Sequence, residues 1–142
     1  MFNALRTDEL IAGMGTTMRA AAAAAGPADE YARGQLLSAF SVSRLLAAEV
    51  RATPGLLAWL QGELDAALAA SADPAAALAR ERVAAAADGT EVGDALVDLL
   101  AELRTEGRDQ ELRERLHAIL RELAARELAA LAARPERRGQ GS

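Results

Sequence analysis

The chain of 142 residues has no cysteine, no lysine, one histidine and four aromatic residues. Each shortage excludes something. Without cysteine there is no disulfide framework and no thiolate nucleophile or metal ligand. With His117 alone, one copy cannot assemble a site from several imidazoles. Basic residues number 16 against 21 acidic ones, for a net charge of −5, and no basic block is large. Nucleic acid requires a clustered positive face, so it is not expected as a partner. No apolar run approaches the ~20 residues that span a bilayer. The N-terminus lacks a basic stretch followed by a long apolar one, so no secretory leader is read and the cytoplasm is the expected location.

What is present is helical. Ala, Leu, Arg and Glu dominate, and no alternating strand pattern or internal repeat occurs. All 16 basic residues are Arg, and Asn and Ile are scarce, which points to a GC-rich bacterial genome. A chain of this length buries roughly two-thirds of its unfolded surface, enough for a core without staples. The expectation is an all-α protein of five or six helices around a long central one. Residues 1–134 would form a single helical domain, with a disordered Arg/Gly tail over 135–142.

The organising stretch is Asp29–Arg51. Ala32, Leu36, Ala39, Phe40, Ser43, Leu46, Ala47 and Val50 share one face of a 3.6-residue wheel, while Tyr31, Leu37, Val42 and Leu45 lie off it. A helix apolar around most of its circumference is expected to be buried centrally or sandwiched against a second partner. Before it, Thr7 is read as the cap of a first helix reaching Ala25, with Asp8 and Glu9 at its positive end. Gly13 and Gly15 in that helix are tolerable where a neighbouring helix comes close. Gly26-Pro27 ends it. Thr53-Pro54 repeats this punctuation and predicts a new helix over Pro54–Ala70, with Leu57, Leu60, Leu64 and Leu68 inward. Asp73-Pro74 opens a fourth helix whose only larger apolar residues are Leu78 and Val83, so it is expected to pack lightly. After Asp88-Gly89, Thr90 is read as the cap of a fifth helix with Val92, Leu96, Leu99 and Leu103 on its core face. Gly107 ends it, and Asp109 caps the last, reaching Arg134.

Chemistry is thinly signalled. Glu114 and His117 form an E-x-x-H pair, the unit that supplies one metal in carboxylate-bridged bundles. A complete site needs more ligands, which a two-fold dimer could double with Glu49 or Glu63. The plainer reading is a wet helix face, and no intrinsic metal or cofactor is expected. His117 alone is a weak candidate base; a partly buried, hydrogen-bonded His is the commoner arrangement. Tyr31, Arg33, Ser41 and Arg44 give the central helix a polar set that could hold a carboxylate or phosphate, or simply form a solvated edge. Leu37 and Leu45, flanking Ser41 and Arg44, are the candidate interface, with Trp59 as a further anchor or a core residue. No phosphate-binding loop, catalytic triad order or zinc spacing is present.

Three stretches carry a resemblance: Thr7-Asp8-Glu9-Leu10-Ile11, Tyr31-Ala32-Arg33 followed by Leu36 to Glu49, and Asp88-Gly89 before a leucine-rich helix. In these the chain resembles a family of small all-helical proteins of unknown function from high-GC bacteria, encoded beside phosphotransferase-like and acyl-CoA-dehydrogenase-like proteins. That family shows His-Ala-Arg and an Asn in its central helix. Here Tyr31 stands for the His and no Asn follows. The resemblance implies an accessory role beside an enzyme. In size and in lacking ordinary catalytic motifs, the chain is also similar to the small helical dimers that close lysinoalanine bridges in lanthipeptides. The expected function is therefore a homodimeric, non-catalytic accessory protein that binds a partner enzyme or peptide. A small enzyme acting on a peptide or metabolite at the dimer interface is the alternative, and a dimeric metal-binding bundle the third.

Overall fold

The computed structural model describes residues 6–26, 29–105 and 107–132. Five helices follow one another: α1 (Thr7–Ala24), α2 (Glu30–Ala69), α3 (Pro74–Ala85), α4 (Gly89–Thr105) and α5 (Gln110–Ala132). No strand occurs among the described residues. The all-α class is thus as expected, while the tail over 135–142 and the end of the last helix lie outside the described residues.

The main departure is at Pro54. The break expected there is absent, and α2 runs for 40 residues with Pro54 inside it. A proline in a helix interior removes one N–H donor, here the partner of the Val50 carbonyl, at a cost of about 3 kcal/mol. Three features make this tolerable. Val50, Pro54 and Gly55 are exposed, so water reaches the freed carbonyl. The Thr53 hydroxyl, instead of capping a new helix, donates to the Glu49 carbonyl at 2.8 Å within the old one. Leu57, Leu60 and Leu64 lie beyond the proline in unbroken helical register and pack into a core that fixes them.

The remaining punctuation acts locally, with two shifts. The Asp73 carboxylate accepts from the Ala75 N–H with Pro74 at the first helical position. Asp88, rather than Thr90, caps α4: its Oδ1 accepts from Thr90 and Glu91 N–H groups at 2.9 and 3.0 Å. Thr7 is likewise the first helical residue and not the cap; Glu9 reaches back to the Arg6 N–H. Gly107 takes the left-handed conformation, φ 62°, that a helix C-terminus asks of glycine. Asp109 caps α5 through the Leu112 N–H at 3.0 Å.

The chain divides into two compact units. Unit 1 takes the chain through Thr53 and from Leu128 onward, and unit 2 is the segment between. Unit 2 holds the leucine core: Leu60, Leu64 and Leu68 of α2, Val92, Leu96, Leu99 and Leu103 of α4, and Leu112, Leu116 and Ile119 of α5. The lightly packed helix expected at α3 is instead buried through Ala75, Ala76, Ala79 and Val83, while Leu78 faces out, 60% exposed. Alanines let the α3 backbone approach α4 closely, so volume per residue is a poor guide to how well this helix is held. Gln61, on α2, donates to the Val83 and Ala86 carbonyls at the end of α3.

In unit 1 the buried residues are Asp8, Gly15, Ala22, Ser43 and Ala47. Gly15 of α1 faces Ser43 of α2 so closely that a Cβ there would lie 3.0 Å from Ser43 Cβ. Gly13 has open space instead, so the close approach expected there is confined to Gly15. The inward face of this part of α2 is narrower than its periodicity suggests. Leu36 and Phe40 are half-buried, and Leu46 and Val50 are exposed, as is Val42.

Candidate functional site

Of the residues that the sequence marks for ligand and interface, Ser41, Arg44 and Leu45 line one cleft in unit 1. A cleft of about 240 Å³ is lined by Ser41, Arg44, Leu45, Ala48 and Arg51 of α2, Ala12 of α1 and Leu131 of α5, with Ala47 behind them. Its α2 wall follows from helical spacing, since residues 41, 44, 45 and 48 form one ridge of i,i+3 and i,i+4 neighbours. Its second wall is available because small residues, Gly15, Ser43 and Ala47, let α1 come close. Buried Ser43 is satisfied within its own helix, donating to the Ala39 carbonyl at 2.8 Å.

Asp8 fixes one end of this arrangement. Its carboxylate is buried and accepts from Arg51 Nε at 2.8 Å and Arg6 Nε at 3.1 Å. The hydrogen bond from Arg51 holds the Asp8 carboxyl below its ordinary value, aided by the charges of both arginines and opposed by its burial. Asp8 and Arg51 are 43 residues apart, so no local spacing announced the pair. Asp8 was legible only as a charge suited to a helix N-terminus.

Arg44 is differently placed. It forms no ion pair among the described residues, and its guanidinium lies 6.0 Å from the Phe40 ring centroid, with Arg19 over the same ring at 5.5 Å. Ser41 Oγ donates to the Leu37 carbonyl at 3.0 Å. The described lining contains no carboxylate or imidazole that could take the Ser41 proton. Two guanidinium groups and a hydroxyl above leucine and alanine suit recognition of a carboxylate-bearing apolar partner. They do not form a nucleophile–base pair.

The other candidates are dispersed. Tyr31 is 80% exposed at the start of α2, and exposed Arg33 is near it; neither lines the cleft. Leu37 and Leu45 are exposed. Trp59 packs against the core of unit 2, covered by the Arg126 guanidinium 4.3 Å from its ring centroid. Glu114 accepts from Gln110 Nε2 at 2.8 Å. His117 is exposed rather than partly buried and lies in a different cleft, beside Arg104 and Arg113. Cations are poor neighbours for a bound metal ion, and no group of three His, Asp or Glu positioned to hold one occurs among the described residues. No described helix is long and apolar enough to cross a membrane.

Compared with known proteins, the chain matches no family model, no curated protein and no solved structure.

Proposed function

We propose that this is a non-catalytic binding protein of the cytoplasm, organised around α2, that acts as a homodimer beside a partner enzyme or peptide. One observation carries the reading. The α1–α2 hairpin of unit 1 buries nothing larger than Asp8 among its described residues, yet it exposes Leu10, Met14, Leu37, Val42, Leu45, Leu46 and Val50. Of these, Leu37 and Leu45 flank Ser41 and Arg44, and an apolar patch rimmed in that way marks an association site. Homo-oligomers are most often two-fold, which sets the same hairpin against its own copy. Each leucine buried on association contributes ~1.5–3 kcal/mol. The resemblance carried by Thr7–Ile11 and Tyr31–Glu49 supports the accessory role.

The test is Leu37→Glu with Leu45→Glu, followed by sedimentation at micromolar concentration. The wild type is expected to sediment as a dimer and the variant as a folded monomer. A monomeric wild type, or a variant that stays dimeric, would overturn the proposal. So would an unfolded variant, because that would assign both leucines to the core.

The cleft favours one alternative, a small enzyme of the lysinoalanine-forming kind whose peptide substrate brings its own nucleophile. There Arg44 and Arg51 would position substrate carboxylates. Turnover lost in Arg44→Gln with dimerisation intact would prefer it.

A further inference from the structure

The cleft between α4 and α5 in unit 2 plays no part in the reading above. It measures about 310 Å³ and is lined by Val97, Leu100, Ala101 and Arg104 of α4 and by Arg113 and His117 of α5. We propose that it binds a small amphiphilic anion: an oxyanion head, carboxylate or phosphate, held by Arg104, Arg113 and His117, with a short apolar body on Val97, Leu100 and Ala101.

Charge segregation is the first support. Acidic residues outnumber basic ones in this chain, yet none of the described ones lines the cleft. Four described acids of α4, α5 and the turn between them have other partners. Asp109 accepts from Ser71, Glu102 from Arg108, Asp98 from Arg82, and Glu114 from Gln110. Arg104 and Arg113 consequently have no carboxylate partner among the described residues.

Helix position is the second. Arg104 is in the last turn of α4, where a cation is favoured by the terminal carbonyls. Arg113 is the fourth residue of α5, where the helix end is itself positive and a cation is disfavoured. Two guanidinium groups thus line one opening, and a bound oxyanion would supply both with the anionic partner they lack. His117 adds a ring N–H donor one turn further along α5. Shape is the third. The volume is at the lower end of the ~300–1,000 Å³ typical of small-ligand sites, and the floor is apolar, with Leu100 packed onto the core.

The test uses the full chain and the ring resonances of its only histidine, which lies in the cleft. Octanoate and octyl phosphate are titrated separately, with octanol and inorganic phosphate as controls. One or both octyl anions should shift the His117 resonances saturably, and which binds more tightly identifies the head group. Octanol and inorganic phosphate should bind at least tenfold more weakly, since each lacks half of the recognition. Arg104→Gln and Arg113→Gln should each weaken binding about tenfold or more. Val97 is 66% exposed, so Val97→Glu is expected to fold as the wild type does and to lose binding to a comparable degree. Failure of both octyl anions to bind at millimolar concentration would overturn the proposal. So would octanol binding as tightly as octanoate, inorganic phosphate binding as tightly as octyl phosphate, or unchanged affinity in folded Arg104→Gln, Arg113→Gln or Val97→Glu.

Discussion

The two units share one helix and use it in opposite ways. Beyond Pro54, α2 sends Leu60, Leu64 and Leu68 into a core where leucines from α4 and α5 meet them. Before Pro54 it sends in Ser43 and Ala47, and what meets Ser43 on α1 is Gly15, with Ala22 the other buried small residue of that helix. The composition of α2 does not account for this, because both halves are leucine-rich. The difference lies in what stands opposite. Where the facing helices carry leucine, the leucines of α2 turn inward. Where the facing helix is Gly- and Ala-rich, close backbone approach replaces side-chain interdigitation and the large residues remain outside. Unit 2 is stabilised by volume filled, and unit 1 by proximity and one buried ion pair.

The largest test of that contrast is leucine truncation. Leu64→Ala, at a fully buried position, should cost ~2–5 kcal/mol in urea unfolding. Leu45→Ala, measured below the association range, should change stability by no more than ~0.5 kcal/mol, as surface substitutions do. A loss at Leu45 equal to that at Leu64 would mean that unit 1 has a core of its own.

Acid sharpens the comparison. Asp8 in unit 1 is held below its ordinary value of 3.8 first by the hydrogen bond from Arg51. In unit 2, Asp65 is lowered first by the hydrogen bond from Arg80, and Asp109 first by that from Ser71. A carboxyl lowered in the folded state contributes stability that is complete above its unfolded value and is lost as pH falls through the folded one. Both units should therefore loosen as pH falls below about 4. Asp8→Asn should remove that dependence from α1 amide exchange and leave it in α4. Parallel acid profiles for α1 in the wild type and Asp8→Asn would refute the role given to Asp8.

The smallest effect separates two glycines of one helix. Gly13→Ala should stabilise the protein by ~0.5–1 kcal/mol, because alanine is the better helix former and space is open there. At Gly15 the new methyl would press on Ser43 Cβ at 3.0 Å. Gly15→Ala should accordingly lower the thermal midpoint, while Gly13→Ala raises it. A rise at both positions would mean that α1 and α2 can part without cost.

Local chemistry was the legible part of this fold. Asp73-Pro74, Asp88-Gly89, Gly107 and Asp109 act within a few residues of themselves, and each marks a helix end in the structure. The leucine faces of α4 and α5 were legible for the same reason. Thr53-Pro54 carries an equally strong local signal, but packing on both sides of it outweighs one lost hydrogen bond. The burial of α3 through alanine was hidden because alanine is common throughout the chain and says little about which copies face inward. In the unit 1 cleft, Ser41, Arg44 and Leu45 are visible as a ridge on one helix. Arg51, Ala12 and Leu131 become neighbours of that ridge only through tertiary packing, which no sequence spacing encodes.

The division of the chain at Thr53 and Leu128 has a consequence for the order of assembly. Unit 2 is one uninterrupted segment, residues 54–127, whereas unit 1 needs both the early chain and the last turns of α5. On a ribosome, which releases the chain from its N-terminus, every residue of unit 2 is available before Leu128 and Leu131 emerge. The leucine core can therefore close first. It thereby shortens the loop that must be closed when Leu131 reaches the ridge of Ser41, Arg44 and Leu45. The cleft of unit 1 is thus completed last in synthesis, by a residue that a core already closed brings within a shorter loop.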